Sequence, residues 1–220
     1  NWRMLAKTLL PLPEKWHGLQ DVEERFRKRY LDLLLNPELK EKFAARAEII
    51  QALRQWLDKH EFLEVETPVL QTIAGGANAR PFATRLNALE LDVYLRVAPE
   101  LFLKRLLVAG FERVYEIGKN YRNEGMDRDH NPEFSELEFY AAYQDYEWLM
   151  KFTEELLAAT VAQVFGNTKT SYKEHVIDWQ GPYQRVKFND LLQTHSGLDY
   201  DAVDERRLGE KAKALEIQID

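Results

Sequence analysis

The stretch that is most informative about the fold is residues 112–143, with the sequence ERVYEIGKNYRNEGMDRDHNPEFSELEFYAAY. The first part holds the strand-forming residues Val114, Tyr115 and Ile117, and residues 137–140 alternate large apolar and polar side chains with a period of two. Between these parts lie the Asn, Asp, Gly and Pro residues that turns require. The stretch therefore predicts two strands joined by a polar loop.

The second of these strands is predicted to have two different faces. A period of two puts Glu136, Glu138 and Tyr140 on one face, with Leu137 and Phe139 on the other. Several carboxylates on one face are costly to bury unless a cation joins them. The face is therefore either solvated, as in an ordinary amphipathic hairpin, or it binds a positively charged ligand.

The composition describes an ordinary globular protein with one substantial core. The chain has 220 residues, 45% of them hydrophobic and 30% charged. It contains no run of 18 apolar residues and no signal peptide, so we expect no membrane span and a cytoplasmic location. The absence of cysteine excludes disulfides, cysteine zinc sites and thiol nucleophiles. Because Asn1 is not a natural initiator, we expect that the beginning of the gene product is missing.

The net charge of −7 argues against a broad surface for nucleic acid, because affinity for phosphates depends largely on Lys and Arg. One basic cluster, RFRKR at residues 25–29, stands out against this acidic background. It is either a solvated helix face or a local contact with RNA or a partner subunit.

The rest of the chain alternates helical and strand patterns, which predicts an α+β fold with an antiparallel sheet flanked by helices. No G-x-G-x-x-G follows a strand, which argues against a Rossmann fold. Helices are predicted over residues 22–35, 38–60, 100–108 and 146–165, and again after residue 189. Strands are predicted over residues 62–70, 91–97, 176–179 and 185–188, and an apolar run at 4–10 precedes Pro11 and Pro13.

Four segments carry a resemblance to a known family. RNEG at 122–125, followed by HNPEF at 130–134 and EFY at 138–140, resembles motif 2 of the class II aminoacyl-tRNA synthetases in its lysyl-tRNA synthetase version. The helix and strand over 38–70 resemble motif 1, which in this family supplies a dimer interface. GGANARPF at 75–82 and RVAPELFLKRL at 96–106 are similar to the segments that hold the amino acid.

The resemblance implies activation of L-lysine by ATP to lysyl-adenylate and its transfer to tRNA(Lys). Arg122 is then the catalytic residue that holds the substrate carboxylate and the α-phosphate together, for which a planar, permanently charged guanidinium is suited. Mg²⁺ would bridge the phosphates, with its ligands mostly outside this chain. The ATP-binding residues implied are Arg122, Glu124, His130, Asn131 and Phe134, and the lysine-binding residues are Gly76, Glu100, Arg122, Glu138 and Tyr140.

The sequence also departs from the family pattern. Glu136 adds a charge where many relatives carry an apolar or small residue, and we expect it to be solvated rather than to tighten cation binding. The third class II motif and the acidic segment that selects the lysine ammonium group are missing. We therefore expect a partial catalytic domain that is inactive by itself and dimerises through motif 1. The implied division is the end of an OB-fold anticodon-binding domain at 1–20, the catalytic core at 21–188 and the start of a helical insertion at 189–220.

Two other functions remain open. One is a non-catalytic, synthetase-derived module that binds nucleotide or dimerises without completing the reaction. The other is the paralogue that attaches lysine to a translation factor, although that protein lacks the GGA segment seen here at 75–77.

Overall fold

The computed structural model describes residues 2–7, 9–10, 12, 18–215 and 217. The chain divides into two compact units, Asn1–Trp179 and Gln180–Asp220, and combines helices with small sheets as a mixed α+β protein. The helices of the first unit are α1 (Val22–Arg27), α2 (Arg29–Leu35), α3 (Leu39–Lys59), α4 (Glu100–Val108) and α5 (Tyr146–Phe165). Its strands are β1 (Leu63–Glu64), β2 (Leu70–Gln71), β3 (Ala83–Leu86), β4 (Leu91–Leu95), β5 (Arg113–Tyr121), β6 (Glu133–Ala141), β7 (Lys169–Tyr172) and β8 (His175–Asp178).

The predicted hairpin is confirmed as the β5–β6 pair. Its two nine-residue strands run antiparallel in continuous register, from Arg113 opposite Ala141 to Tyr121 opposite Glu133. Residues directly opposite each other share a face of the sheet, so the alternation predicted for β6 also sorts the side chains of β5.

The strands of the first unit form three small sheets. β2, β4 and β3 pair antiparallel in that order, and β7 pairs antiparallel with β8. The hairpin sheet is mixed, because β1 joins β5 in parallel, with Leu63 opposite Val114. The expectation of antiparallel pairing is therefore wrong at this edge, where the chain leaves α3 and enters the sheet in the direction of β5.

The main core lies between the hairpin and the two long helices. Leu57 of α3, Phe62, Tyr115 of β5 and Phe152 of α5 are buried together. Leu137 and Phe139, the apolar face of β6, pack against this cluster, and the Phe139 ring lies 5.5 Å from that of Phe152. One face of the hairpin is therefore fixed to the helices, which leaves the face with Glu136, Glu138 and Tyr140 for other contacts.

The helices α3, α4 and α5 confirm their predictions to within a residue. Asp145 caps α5 by accepting a hydrogen bond from the N–H of Trp148 at 2.8 Å, and Gly166 ends it with a φ of +75°. α4 begins directly after Pro99, with Glu100 in its first turn.

Four predictions of secondary structure are corrected. The helix over 22–35 is two helices, because the backbone of Lys28 departs from helical angles. The strand over 62–70 is reduced to β1 and β2, with residues 65–69 in neither, where Pro68 has no N–H to donate and the backbone bonds to neighbouring segments join the Val65 N–H to Tyr115 and the Val69 carbonyl to Arg96. Residues 185–187 form no strand, and Phe188 begins a helix. Residues 2–7 and 9–10 form no strand, while Thr8, Pro11 and Pro13 lie outside the described residues.

The second unit contains two short helices, α6 (Phe188–Ser196) and α7 (Glu205–Ala214). The rings of Phe188 and Tyr200 meet edge to face at 5.9 Å, and Asn189 donates to the Asp201 carboxylate at 2.8 Å. The helical character predicted after residue 189 is confirmed for the described part of this unit; Glu216 and residues 218–220 lie outside it.

Candidate active site

One face of the hairpin gathers the polar side chains that the sequence singles out; we call it the site face. Its members are the opposed pairs Asn120 and Phe134, Gly118 and Glu136, Glu116 and Glu138, and Val114 and Tyr140. Because opposed residues point to the same side of a sheet, these groups follow one another along the hairpin. Phe134 lies toward the loop, and Tyr140 lies at the other end.

The loop end of the site face is organised around Arg122. Its N–H donates to the Pro132 carbonyl at 2.9 Å, which extends the ladder one step beyond the strands. The guanidinium carbon lies 4.8 Å from the centroid of the Phe134 ring, a distance typical of a cation–π contact. The Nε of Arg122 is buried and has no hydrogen-bond partner. A buried N–H without a partner is costly, so Arg122 keeps an unused donor at this end of the face.

The loop between the strands is shaped by Asp127. Its carboxylate accepts hydrogen bonds from the N–H groups of Asp129 and His130, at 2.7 and 2.8 Å, and from His130 Nδ1 at 2.8 Å. These bonds, led by the one from the Asp129 N–H, hold the pKa of Asp127 below its ordinary value. A cavity of about 430 Å³ opens here, lined by Arg122, Glu124, Gly125, Asp127, Asp129, His130, Asn131 and Phe134. All five predicted ATP-binding residues are among them.

The segment at 75–82 contacts both the loop and α4. The N–H of Arg80 donates to Glu124 at 3.1 Å, and the N–H of Asn123 donates to the Arg80 carbonyl at 2.7 Å. Gly76 has a φ of +91°, and a Cβ placed on it would lie 3.0 Å from the Cβ of Glu100. Glycine is favoured at this position by both its backbone angle and this close approach. The structure thus brings Gly76 and Glu100 together, as the resemblance implies.

The far end of the site face carries Glu138 and Tyr140, two of the residues predicted to bind the amino acid. The Tyr140 hydroxyl donates to Glu138 at 3.0 Å. Burial raises the pKa of Glu138; the Tyr140 hydrogen bond opposes this, and the charges of Glu136, Glu100 and Glu116 add to it. Burial and the neighbouring Glu138 likewise raise the pKa of Tyr140. Glu100 is paired with Lys104 one turn along α4. A face on which carboxylates oppose one another's ionisation favours a cationic ligand.

Glu136 differs from its prediction. We expect it to be solvated, but it is half buried and accepts a hydrogen bond from the amide nitrogen of Asn120. The reason is the register of the hairpin, which places Glu136 opposite Gly118 and within reach of the Asn120 amide two residues further along β5.

Residues 21–217 match the family model of the class II tRNA synthetases (D, K and N). The chain belongs to this family.

Proteins named lysine–tRNA ligase are among the relatives of this class II synthetase chain. That of Pelotomaculum thermopropionicum is 53% identical over 216 residues, which cover 98% of the chain and 42% of that protein. That of Aquifex aeolicus is 54% identical over 219 residues, 99% of the chain and 37% of that protein. That of Clostridium tetani is 49% identical over 221 residues, 99% of the chain and 44% of that protein. The chain thus spans about two fifths of the length of these relatives.

The synthetase chain also contains a buried network that sequence reasoning missed. Arg96, with its side chain 2% exposed, forms an ion pair with Glu116, which is 5% exposed. Its Nε donates to the Lys119 carbonyl at 2.9 Å, and Thr67 donates its hydroxyl to Glu116 at 2.7 Å. A Cβ on Gly118 would lie 2.1 Å from the Arg96 guanidinium, so this side chain fills the space above that glycine. Arg96 and Glu116 are each a charged residue within an otherwise apolar strand pattern. This was the signal in the sequence that could have indicated a buried ion pair.

Within the residues that the structure describes, no three His, Asp or Glu side chains gather as a metal site would require. Among the same residues, no helix is both long and apolar enough to cross a membrane.

Proposed function

We propose that the whole protein carrying this chain activates L-lysine with ATP to form lysyl-adenylate and transfers the lysine to tRNA(Lys). The observation that carries the proposal is the site face, which has Arg122 and Phe134 at one end and Glu138 with Tyr140 at the other. One end suits a nucleotide and the other a cationic side chain. The relatives named lysine–tRNA ligase support the same reaction.

Arg122 is the catalytic residue of this proposal. Formation of the adenylate is an in-line displacement in which the lysine carboxylate attacks the α-phosphate and pyrophosphate leaves. The protein needs to supply positioning and positive charge rather than a nucleophile. A guanidinium can hold the carboxylate and the phosphate with one planar group, and the partner-free Nε of Arg122 supports this role.

The loop end is proposed to hold ATP. Phe134 stacks on the adenine and Glu124 faces its amino group, while His130 and Asn131 lie near the triphosphate. The loop cavity supports this assignment, because it is large enough for a nucleotide base and is lined by all of these residues. Mg²⁺ neutralises phosphate charge when it is bound; the described residues offer it no dedicated set of ligands.

The far end is proposed to hold lysine. Glu138 and Tyr140 accept the side-chain ammonium, and Glu100 with the Gly76 backbone receives the α-ammonium. The contact between Gly76 and Glu100 supports a shared role for these two residues. Neutral amino acids would leave the Glu138 carboxylate without a cation, which disfavours them.

The remaining assignments follow from the same family. We infer a class II catalytic core at residues 21–188, between the end of an OB-fold domain at 1–20 and a helical insertion from 189, in a cytoplasmic enzyme. We also infer a homodimer through motif 1. Large apolar side chains along α1, α2 and α3 support an interface there, since Phe26 is 67%, Tyr30 is 71% and Phe43 is 50% exposed.

Lysine-dependent exchange of labelled pyrophosphate into ATP tests the proposal. The whole protein should catalyse exchange with L-lysine and fail with L-norleucine, which has the same chain length without the ammonium group. Equal exchange with both amino acids, or none with lysine, would contradict it. A non-catalytic module would bind ATP without any exchange.

A further inference from the structure

The charges on the site face do not balance within the described residues. Four carboxylates interact there, of which Glu116 is paired with Arg96 and Glu100 with Lys104. Glu136 and Glu138 have hydrogen-bond donors, Asn120 and Tyr140, but no cation among the described ion pairs. The Arg96 guanidinium lies over Gly118, opposite Glu136, but it is already paired with Glu116, so two cations face four carboxylates. The remaining negative charge favours a further cation on this face.

Asn120 supplies a second, independent sign of a ligand at this point. The residue is 1% exposed, and its amide nitrogen donates to Glu136, yet its amide oxygen is buried without a partner. If the Asn120 amide were flipped, its oxygen would face the Glu136 carboxylate and the two acceptors would repel each other. The present orientation, with the amide nitrogen donating to Glu136, is therefore favoured. A buried acceptor without a donor is costly, and a bound ammonium group would provide that donor.

The position of the pair along the hairpin suits a substrate group. Glu136 lies between Phe134, at the proposed nucleotide end, and Glu138, at the proposed lysine end. An amino acid lying along the site face would pass this position.

Building on the proposed function, we propose that Glu136, held by Asn120, is a specificity-determining residue that strengthens the preference of the pocket for a cationic amino acid. It acts by its charge, together with the free amide oxygen of Asn120, rather than by packing. The family resemblance leads to the expectation of a solvated residue at this position, so the role belongs to the local sequence of this chain.

Glu136→Gln tests the charge alone, because glutamine is nearly isosteric and still offers an oxygen to the Asn120 amide. Calorimetric titration of the whole protein should show that its affinity for L-lysine falls about tenfold, while that for ATP is unchanged. Glu136→Asp, which restores the charge, should recover most of the loss. Glu112→Gln is the matched control, since it removes an exposed carboxylate just before β5, and should leave both affinities unchanged.

The pH dependence provides a readout that a purely structural role would not change. The charge of Glu136 contributes to the raised pKa of Glu138, so removing it lets Glu138 ionise at lower pH. The pH below which lysine affinity is lost should therefore move down in Glu136→Gln. The other charged or titratable groups that face this point are Glu100 and Lys104 of α4, Glu116 of β5, Tyr140 of β6 and Arg96, and all remain in the variant.

Each result separates this inference from the proposed function. If Glu136→Gln keeps its lysine affinity and pH profile while Glu138→Gln loses lysine, the inference is overturned and the proposed function stands. If the unmodified protein does not distinguish L-lysine from L-norleucine, both are overturned. Weaker lysine binding, recovery in Glu136→Asp and the downward shift in pH together support the inference.

Discussion

The two ends of the site face are held in different ways. At the loop end, Asp127 organises exposed residues through hydrogen bonds to positions two and three residues further on. At the proposed lysine end, Arg96 and Glu116 are buried and lie 20 residues apart, and Thr67 reaches Glu116 across 49 residues. The loop end therefore depends on local sequence, whereas the lysine end depends on segments that only the fold brings together.

The largest effect should come from breaking the buried network. Arg96→Met should lower the free energy of unfolding by about 3–5 kcal/mol, because it leaves Glu116 buried without its cation. Urea denaturation measures this change. The control is Arg85→Met, which removes an exposed pair with Asp92 at 3.7 Å and should cost about 0–1 kcal/mol. Equal losses of unfolding free energy in the two variants would mean that the buried pair stabilises the protein no more than an exposed pair does. The proposed lysine end would then not depend on the buried network.

The next largest effect should come from Arg122→Ala, which should reduce catalysis rather than stability. Loss of the guanidinium at the proposed reacting centre should cost about 3 kcal/mol of transition-state stabilisation, comparable to losing one oxyanion donor. Pyrophosphate exchange by the whole protein measures it. Arg122→Lys keeps the charge but not the planar fork, so it should recover only part of the rate. Near-normal exchange by the alanine variant would refute the catalytic assignment.

Glu138→Gln should have a smaller effect that is confined to the lysine end. Removing the carboxylate from a charge-assisted contact should weaken lysine binding by about 1–3 kcal/mol and leave ATP binding nearly unchanged. Calorimetry with each ligand measures both affinities. Tyr140→Phe, which removes only the hydroxyl that donates to Glu138, should weaken lysine binding less. Equal losses for lysine and ATP would count against a side-chain pocket.

The same contrast explains how much of the molecule the sequence could predict. The hairpin, α3, α4 and α5 were predictable because each has a continuous period, and α5 carries its own cap in Asp145. The strand expected at 185–188 was wrong, since a short apolar run cannot distinguish a strand from a helix that begins at Phe188. The break at Lys28 leaves no signal stronger than the helical pattern on either side of it.

The candidate site divides in the same way. Residues of the loop end are contiguous, so the family resemblance could assign Arg122, Glu124 and Phe134 from one stretch of sequence. Arg96 and Glu116 could not be paired without the register that sets β5 beside the β4–α4 connection. Solvation of Glu136 was a reasonable expectation, but its hydrogen bond from Asn120 depends on the register between β5 and β6, which the sequence of β6 alone does not contain.

The smallest effect should come from Asp127, and its pH dependence sharpens the comparison. Asp127→Ala removes the acceptor for two loop N–H groups and for His130, so ATP affinity should fall by less than tenfold, with no change in the midpoint of thermal unfolding.

The pKa of Asp127 lies below its ordinary value, so its hydrogen bonds are fully present above that ordinary value and are lost only as the pH falls through the lowered one. The raised pKa of Glu138 has the opposite consequence, because its carboxylate is lost first as the pH falls. On acidification the protein should therefore lose lysine affinity at a higher pH than the pH at which the loop loses its order. Nuclear magnetic resonance of the His130 and Asp129 amides, followed beside lysine titrations over the same pH range, measures both transitions. Loss of the two in the reverse order would show that the loop end, and not the lysine end, is the more sensitive part of the site.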